Sequence, residues 1–191
     1  MIKTKDDLYD FLEKDKIALR CKDLSRPRIC RDEIWKFEIL LRNLEYYTNN
    51  KKGIINNFWY LFYKYRFHKI SVKLGFSIPV NVFGKGLSIA HYGSIVVNSN
   101  AKIGDNCRIQ ENVTIGSTGG SSKAPVIGNN VFIASGARII GDISIASNIA
   151  IGANTVVTKS FLEEGITIAG IPAKKISNNS SEGFLVKELL N

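Results

Sequence analysis

A parallel β-helix preceded by a short helical region is the fold this sequence predicts. Three features predict it: a bulky apolar residue every six positions after residue 75, glycine at a fixed place beside it, and three-to-four apolar spacing before it. Ile127, Ile133, Ile139, Ile145, Ile151 and Val157 form an unbroken series. Val97, Ile103, Ile109 and Ile115 form a second, in phase with the first because Ile127 lies twelve further on. Phe83, Ile89 and Ile95 form a third, offset by two residues. Gly84, Gly104, Gly116, Gly128 and Gly152 each follow the recurring position, and Val113, Val131, Ala137, Ile143 and Ile149 stand two before it. A helix repeats every 3.6 residues and a conventional strand alternates along its length. A hexapeptide unit of one short strand and one turn, three units closing a coil of about 18 residues, meets the pattern. Separate strands joined by hairpins do not, because the turns lack hairpin chemistry.

Before residue 75 the texture is helical. Leu8, Phe11 and Leu12 make a short apolar stripe; Ile34, Phe37, Leu40, Leu41 and Leu44 make a longer one. Ser25-Arg26-Pro27-Arg28 breaks the chain between them, since proline has no amide hydrogen and restricts its predecessor. Asn49-Asn50-Lys51-Lys52-Gly53 makes a second break. The segment from Phe58 to Phe67 is dense in aromatics and flanked by Lys64, Arg66, Lys69 and Lys73. It suits packing against another helix or subunit first, and peripheral contact with an anionic cytoplasmic membrane face second. Three regions follow: a helical region at 1–75, the β-helix at 76–176 and a tail at 177–191.

Composition narrows the function classes. The 191 residues are 45% hydrophobic and 23% charged, which suits one globular unit or a small domain with an appendage and excludes general disorder. The net charge of +9 is concentrated early: residues 1–75 hold 17 basic against 10 acidic side chains, residues 76–191 hold 9 against 7. Much of that charge is expected on solvated helix surface, and no nucleic-acid partner is expected. Cys21, Cys30 and Cys107 are too few and too irregular for a disulfide scaffold, so a reducing, cytoplasmic location is expected. Acids at Asp6 and Asp7 occupy the place of a signal peptide's apolar stretch, and no run approaches the roughly 18 apolar residues of a membrane span. No metal site is expected.

The repeat is interrupted twice. The frame shifts by two residues, placed by counting at Ile95-Val96-Val97, and Ser117 to Pro125 fills the space between Ile115 and Ile127 with no aliphatic at position 121. The second interruption reads as a loop, where rigid scaffolds tend to carry function. Its Ser and Gly residues do not make a phosphate-cradling loop, which needs Gly-Lys-Ser/Thr leading into a helix.

Five segments in order resemble the left-handed parallel β-helix acyltransferases, most closely the serine acetyltransferase branch with its relatives from capsule and exopolysaccharide clusters. They are Gly84-Lys85-Gly86 with His91 five residues later; Gly93-Ser94-Ile95-Val96-Val97; Val113 to Gly119; Ile151 to Lys159; and Ala169-Gly170-Ile171-Pro172-Ala173-Lys174. The resemblance covers about residues 76–176. It implies a left-handed coil, acetyl-CoA as acyl donor, and a homotrimer with sites between neighbouring coils.

By that resemblance His91 is the general base that deprotonates the attacking hydroxyl, a task imidazole suits. His68, the other histidine, lies outside the repeat. Coil counting adds Glu111: Ile89 and Ile109 are 20 apart, so with the two extra residues bulged out His91 stacks over Glu111, whose carboxylate then orients the imidazole. A surface glutamate on a turn is the equal alternative. Ser135 and Ala153, one coil apart, match small positions along the pantetheine arm, though small residues also suit tight turns. Thr158, Lys159 and Lys174 match positions toward the CoA end, and Gly116 or Ser117 offers a backbone N–H to the thioester oxyanion. Cys107 reads as a small core residue.

Two departures bear on the acceptor. The serine-specific branch has an aspartate fifteen residues before its histidine, where this chain has Phe76, and a histidine before the proline closing the loop, where this chain has Ala124. Their loss removes polar anchors for a zwitterion, and apolar surface in their place suits a sugar ring. The sequence therefore predicts an O-acetyltransferase acting on a cell-surface glycan or its precursor. The alternatives are a serine O-acetyltransferase with a rearranged acceptor site and a non-catalytic β-helix scaffold.

Overall fold

The computed structural model describes residues 1–190. Three helices lead the chain, α1 (Lys5–Ala18), α2 (Glu33–Asn49) and α3 (Ile54–Leu74), separated at the two predicted breaks. Thr4 caps α1: its side chain accepts from the Asp7 N–H while the Asp7 carboxylate accepts from the Thr4 N–H. Phe37 of α2 meets the Phe67 ring of α3 at 5.2 Å and the Phe76 ring edge-on at 5.0 Å, which closes the helices over the start of the β-helix.

α3 is apolar on two sides. Phe67, Ile70 and Leu74 turn toward the core, while Ile54, Phe58, Leu61, Tyr65 and Val72 are exposed on the far side. Among the described residues no helix is long and apolar enough to cross a membrane.

From Phe76 onward the chain winds through three parallel sheets. One holds Phe76–Ser77, Ile95–Val97, Val113–Gly116, Arg138–Ile140 and Val156–Val157; the second holds Lys102–Ile103, Val126–Ile127 and Ser144–Ile145. The third holds Ser88–Ile89, Arg108–Ile109, Phe132–Ile133, Ala150–Ile151 and Thr167–Ala169, closed by Lys174–Ser177 running antiparallel. The six-residue aliphatics stack as columns: Val97, Ile115, Ile139 and Val157 in the first sheet, Ile103, Ile127 and Ile145 in the second, Ile89, Ile109, Ile133, Ile151 and Ile168 in the third. All are buried, as is Cys107, whose thiol burial pushes up to about 12.

The corners have their own order. Asn106, Asn130 and Asn148 stack in left-handed conformation, which asparagine tolerates, and pass amide hydrogen bonds up the column at 2.9 and 3.0 Å. At Gly104 a Cβ would stand 2.7 Å from the Gly128 carbonyl oxygen, so the close approach of successive coils requires glycine there.

Both interruptions exist, one of them displaced from its expected place. Ile103 pairs with Ile127 and Ile115 with Ile139, so the Ser117–Pro125 region extrudes one extra hexapeptide, with residues 118–123 exposed. The two-residue shift does not fall at Ile95-Val96-Val97, because Ile95 pairs with Val113 and Val97 with Ile115 in ordinary register. It falls between Ile89 and Ile95, in the turn that carries His91. The tail is packed: Ser181 and Leu185 are buried and the Phe184 ring stacks on Phe132 at 4.3 Å.

The first coil has no coil before it, and helix side chains take up its backbone groups. Asp15 accepts from the Leu87 N–H at 2.8 Å, Glu38 from the Ile89 N–H at 3.2 Å and Glu45 from the Asn81 N–H at 2.7 Å. Arg42 donates to the carbonyls of Phe83 and Gly84 at 3.0 and 2.6 Å and pairs with Asp15 and Glu45 at 2.7 and 2.9 Å. Burial alone would lower the Arg42 guanidinium; the two carboxylates outweigh it and hold it above its usual range. Glu38 has no such partner: its Oε2 is buried without a hydrogen bond, and burial, then the Asp15 charge, push its carboxyl well up.

The unfolded chain releases the Glu38 proton as pH rises through about 4.5, whereas the folded chain retains it, so this group lowers stability as pH rises above that value. Glu38→Gln is expected to match the wild-type urea midpoint near pH 4 and to exceed it at pH 7. Equal midpoints at both pH values would show that Glu38 ionises in the folded state as freely as in water.

Candidate active site

His91 is exposed on the turn between the third and first sheets of the first coil. The Ala90 N–H donates to the Ile109 carbonyl at 3.0 Å and holds the strand in register up to that point. The next residues carry the two-residue insertion, and Gly93, at φ 130, completes a turn that a side chain would strain. The register expected here is not the one the chain adopts. A Cβ at Gly93 would lie 3.1 Å from the Glu111 Cβ, so Gly93, not His91, stands over Glu111. The bulge begins after Ala90 and carries the imidazole off the column. No His91–Glu111 hydrogen bond is present among the described residues, and the Glu111 Oε2 is buried without a partner beneath the turn.

The same corner recurs in the coils above. Ala150 pairs with Phe132 and Ile151 with Ile133, and the Asn154 N–H donates to the Ser135 carbonyl at 2.8 Å, which stacks Ala153 over Ser135. Ser135 is partly buried, its N–H donating to the Gln110 side-chain oxygen at 3.0 Å, and Ala153 is exposed. His91, Glu111, Ser135 and Ala153 thus mark successive coils at one edge, each step about 4.8 Å.

The remaining predicted residues lie elsewhere. Gly116 ends a strand of the first sheet and its carbonyl accepts from the Gly141 N–H at 2.9 Å; the Ser117 hydroxyl accepts from the Asn98 amide at 3.2 Å. Thr158 and Lys159, both exposed, follow Val157 at that corner two coils on, Lys159 lying over the Phe161 ring at 5.5 Å. The first sheet separates this corner from that of His91 by about 13 Å, the span of a four-residue strand such as Val113–Gly116. Lys174 is exposed on the antiparallel closing strand. One chain therefore brings His91, Glu111, Ser135 and Ala153 together and leaves Gly116, Ser117, Thr158 and Lys159 on a different edge.

Phe76 and Ala124 do not form an apolar acceptor surface. They are 4% and 6% exposed, and both belong to the main core, where Phe76 packs against Phe37. Inward direction, which the motif offset does not reveal, is what removes them from the acceptor face.

Sequence reasoning also missed a cavity of about 290 Å³ beside His91, lined by Ser88, Ala90, Tyr92 and Arg108 from the β-helix and by Arg20 and Asp32 from the helical region. Ser88 pairs with Arg108 across adjacent coils, and the Arg108 Nη1 donates to the Ser88 Oγ at 3.0 Å. No periodicity marks these residues; the only sequence signal was a cation directly before the core position Ile109.

No protein-family model matches the chain. A serine acetyltransferase of Staphylococcus aureus (strain Mu50 / ATCC 700699) is 45% identical over 96 residues, which cover 49% of this chain and 45% of that protein. The chain thus aligns with under half the length of this curated relative. The serine acetyltransferase of Brucella abortus strain S19 in complex with coenzyme A superposes with a TM-score of 0.70 at 26% identity, over 92% of this chain and 70% of that one. That of Neisseria gonorrhoeae superposes at 0.69 and 25%, over 96% and 71%. In its left-handed β-helix and its leading helices, and in sequence over half its length, the chain is similar to the serine acetyltransferases.

Proposed function

We propose that the chain is an acetyl-CoA-dependent O-acetyltransferase with His91 as general base. One observation carries the reading: the exposed imidazole stands at the head of an edge of small side chains, on the fold of a protein crystallised with coenzyme A. The imidazole takes the acceptor's hydroxyl proton as the oxygen attacks the thioester carbonyl carbon. Collapse of the tetrahedral adduct breaks the C–S bond, and the departing thiolate takes the proton back from the imidazolium. The products are the O-acetyl ester and free coenzyme A. Ser135 and Ala153 leave room for the donor's arm, Thr158, Lys159 and Lys174 serve its polar end, and a backbone N–H at Gly116 or Ser117 stabilises the oxyanion. Glu111, close beneath the His91 turn with its Oε2 unpartnered, is assigned as a positioning residue for the imidazole.

The split between two edges supports a homotrimer as the working unit, since cyclic closure sets one edge of a subunit beside a different edge of its neighbour. Serine is the acceptor favoured by the relatives' names. A sugar hydroxyl of a glycan or glycan precursor is the second reading, favoured by Phe76 and Ala124, which leave no polar anchor where the resemblance places an aspartate and a histidine.

The test is thiol release from acetyl-CoA with L-serine, nucleotide sugars and oligosaccharides. Acceptor-dependent release is expected, and His91→Ala is expected to lower it by roughly 10²–10⁴ while coenzyme A binding persists. Wild-type turnover in this variant would refute the assignment of His91. Glu111→Gln is expected to lose less and to shift the pH profile of kcat, whereas an unshifted profile would remove Glu111 from the mechanism.

A further inference from the structure

The cavity beside His91 holds two guanidinium groups that the acetyl-transfer steps above do not use. Arg108 is partly buried in its wall and Arg20 is exposed at its rim, just past the end of α1. Both line the same cavity, and burial, then the like charge of Arg20, lower the Arg108 guanidinium from its usual range. Among the described residues neither has a carboxylate within ion-pair distance. Asp32 reaches the same cavity, but Arg28 grips its carboxylate through bonds of 2.8 and 2.7 Å. The free charge of the cavity is therefore positive. Two unpaired cations converging on a partly enclosed space make a receptor for an oxyanion, and guanidinium forks match a carboxylate's geometry.

We propose that Arg20 and Arg108 form a subsite for a carboxylate borne by the hydroxyl acceptor. The carboxylate belongs either to an amino acid or to an acidic sugar. The inference rests on His91-catalysed acetyl transfer only for the word acceptor; the anion site stands on its own geometry. Ala90 and Tyr92, the neighbours of His91, line the cavity, so a bound carboxylate lies within a small molecule's length of the base.

Binding to His91→Ala protein by ligand-observed NMR isolates the subsite from catalysis. Two matched pairs separate the sources: L-serine against its methyl ester, and glucuronate against glucose. The acid member of at least one pair is expected to bind about tenfold or more tightly than its partner, and Arg108→Gln or Arg20→Gln to abolish that preference. The pair that shows it names the source. Absence of binding by both acids, equal binding within both pairs, or a preference that survives in the Arg20→Gln/Arg108→Gln protein would overturn the proposal. Preference without any acetyl transfer would sink the catalytic reading and leave the subsite; transfer without preference would do the reverse.

A separate observation concerns α3. Ile54, Phe58, Leu61, Tyr65 and Val72 follow one line along its outward side, Ile54 being 92% exposed, and no other element among the described residues covers them. Lys51, Lys52, Lys64, Arg66 and Lys69 surround the line, while no Asp or Glu occurs between Glu45 and Asp105. Pairing of this helix with its own copy would set cations against cations. The geometry points to an anionic lipid bilayer as the occupant, with the aromatic line in the interface and the lysines at the headgroups. Sedimentation with phosphatidylglycerol/phosphatidylcholine vesicles, against phosphatidylcholine alone, tests this. Binding that needs the anionic lipid, shifts Trp59 fluorescence to the blue and is lost in Phe58→Ser/Leu61→Ser is expected. No binding, binding unchanged in the variant, or a fall in mass of the variant by light scattering would overturn it, the last in favour of a second copy.

Discussion

A parallel coil exposes a row of unpaired backbone groups at its first turn, and the leading helices exist in register with that row. Leu87 and Ile89 would otherwise leave buried N–H groups without acceptors, each costing about 1–3 kcal/mol. Asp15 and Glu38 fill those places, Glu45 fills the one at Asn81, and Arg42 fills the carbonyls of Phe83 and Gly84. Arg42, Asp15 and Glu45 make charge-assisted hydrogen bonds and are tolerated in burial as a balanced set, whereas Glu38, without a paired cation, stays protonated. This set ties α1 and α2 to the strand that ends two residues before His91. At the opposite end the third sheet is closed by backbone instead, where the chain reverses and pairs Lys174–Ser177 against Thr167–Ala169.

The core was legible in the sequence because a six-residue unit sends the same position inward every time, so Ile127 through Val157 could be assigned without knowledge of their neighbours. Counting fixes how many residues are extra; it does not fix where they bulge. The shift therefore sits beside His91 rather than at Ile95, and Gly93 takes the place over Glu111 that counting assigned to the histidine. The bulge site is set by a glycine at φ 130 and by the Ala90 hydrogen bond, neither of which periodicity registers.

Side-chain direction was the second thing hidden. Phe76 and Ala124 read as acceptor surface by resemblance to the serine branch, yet both point into the core. The charge of the helical region reads as a whole as solvated surface, the usual fate of charges on a helix, yet Glu38, Arg42 and Glu45 are buried. What distinguishes them is the open edge they meet, a tertiary feature with no local signature. Arg20 and Arg108 escaped for the same reason: 88 positions apart, they share a cavity only once α1 lies beside the third sheet.

The site consequently divides by origin. In the proposed assignment the donor's arm follows one repeating corner, where a larger Ser135 or Ala153 would protrude from a column held by backbone hydrogen bonds, while its polar end falls on the other edge. The proposed acceptor side draws on helix ends and the outer surface of the first two coils, where Arg20 and Tyr92 are exposed and Arg108 links one coil to the next through Ser88. His91 stands where the two meet. If the site divides in this way, the scaffold can exchange acceptors by altering the helical rim while the thioester side stays fixed, and the strand that Glu38 and Asp15 hold in place is one of the contacts that join the two halves.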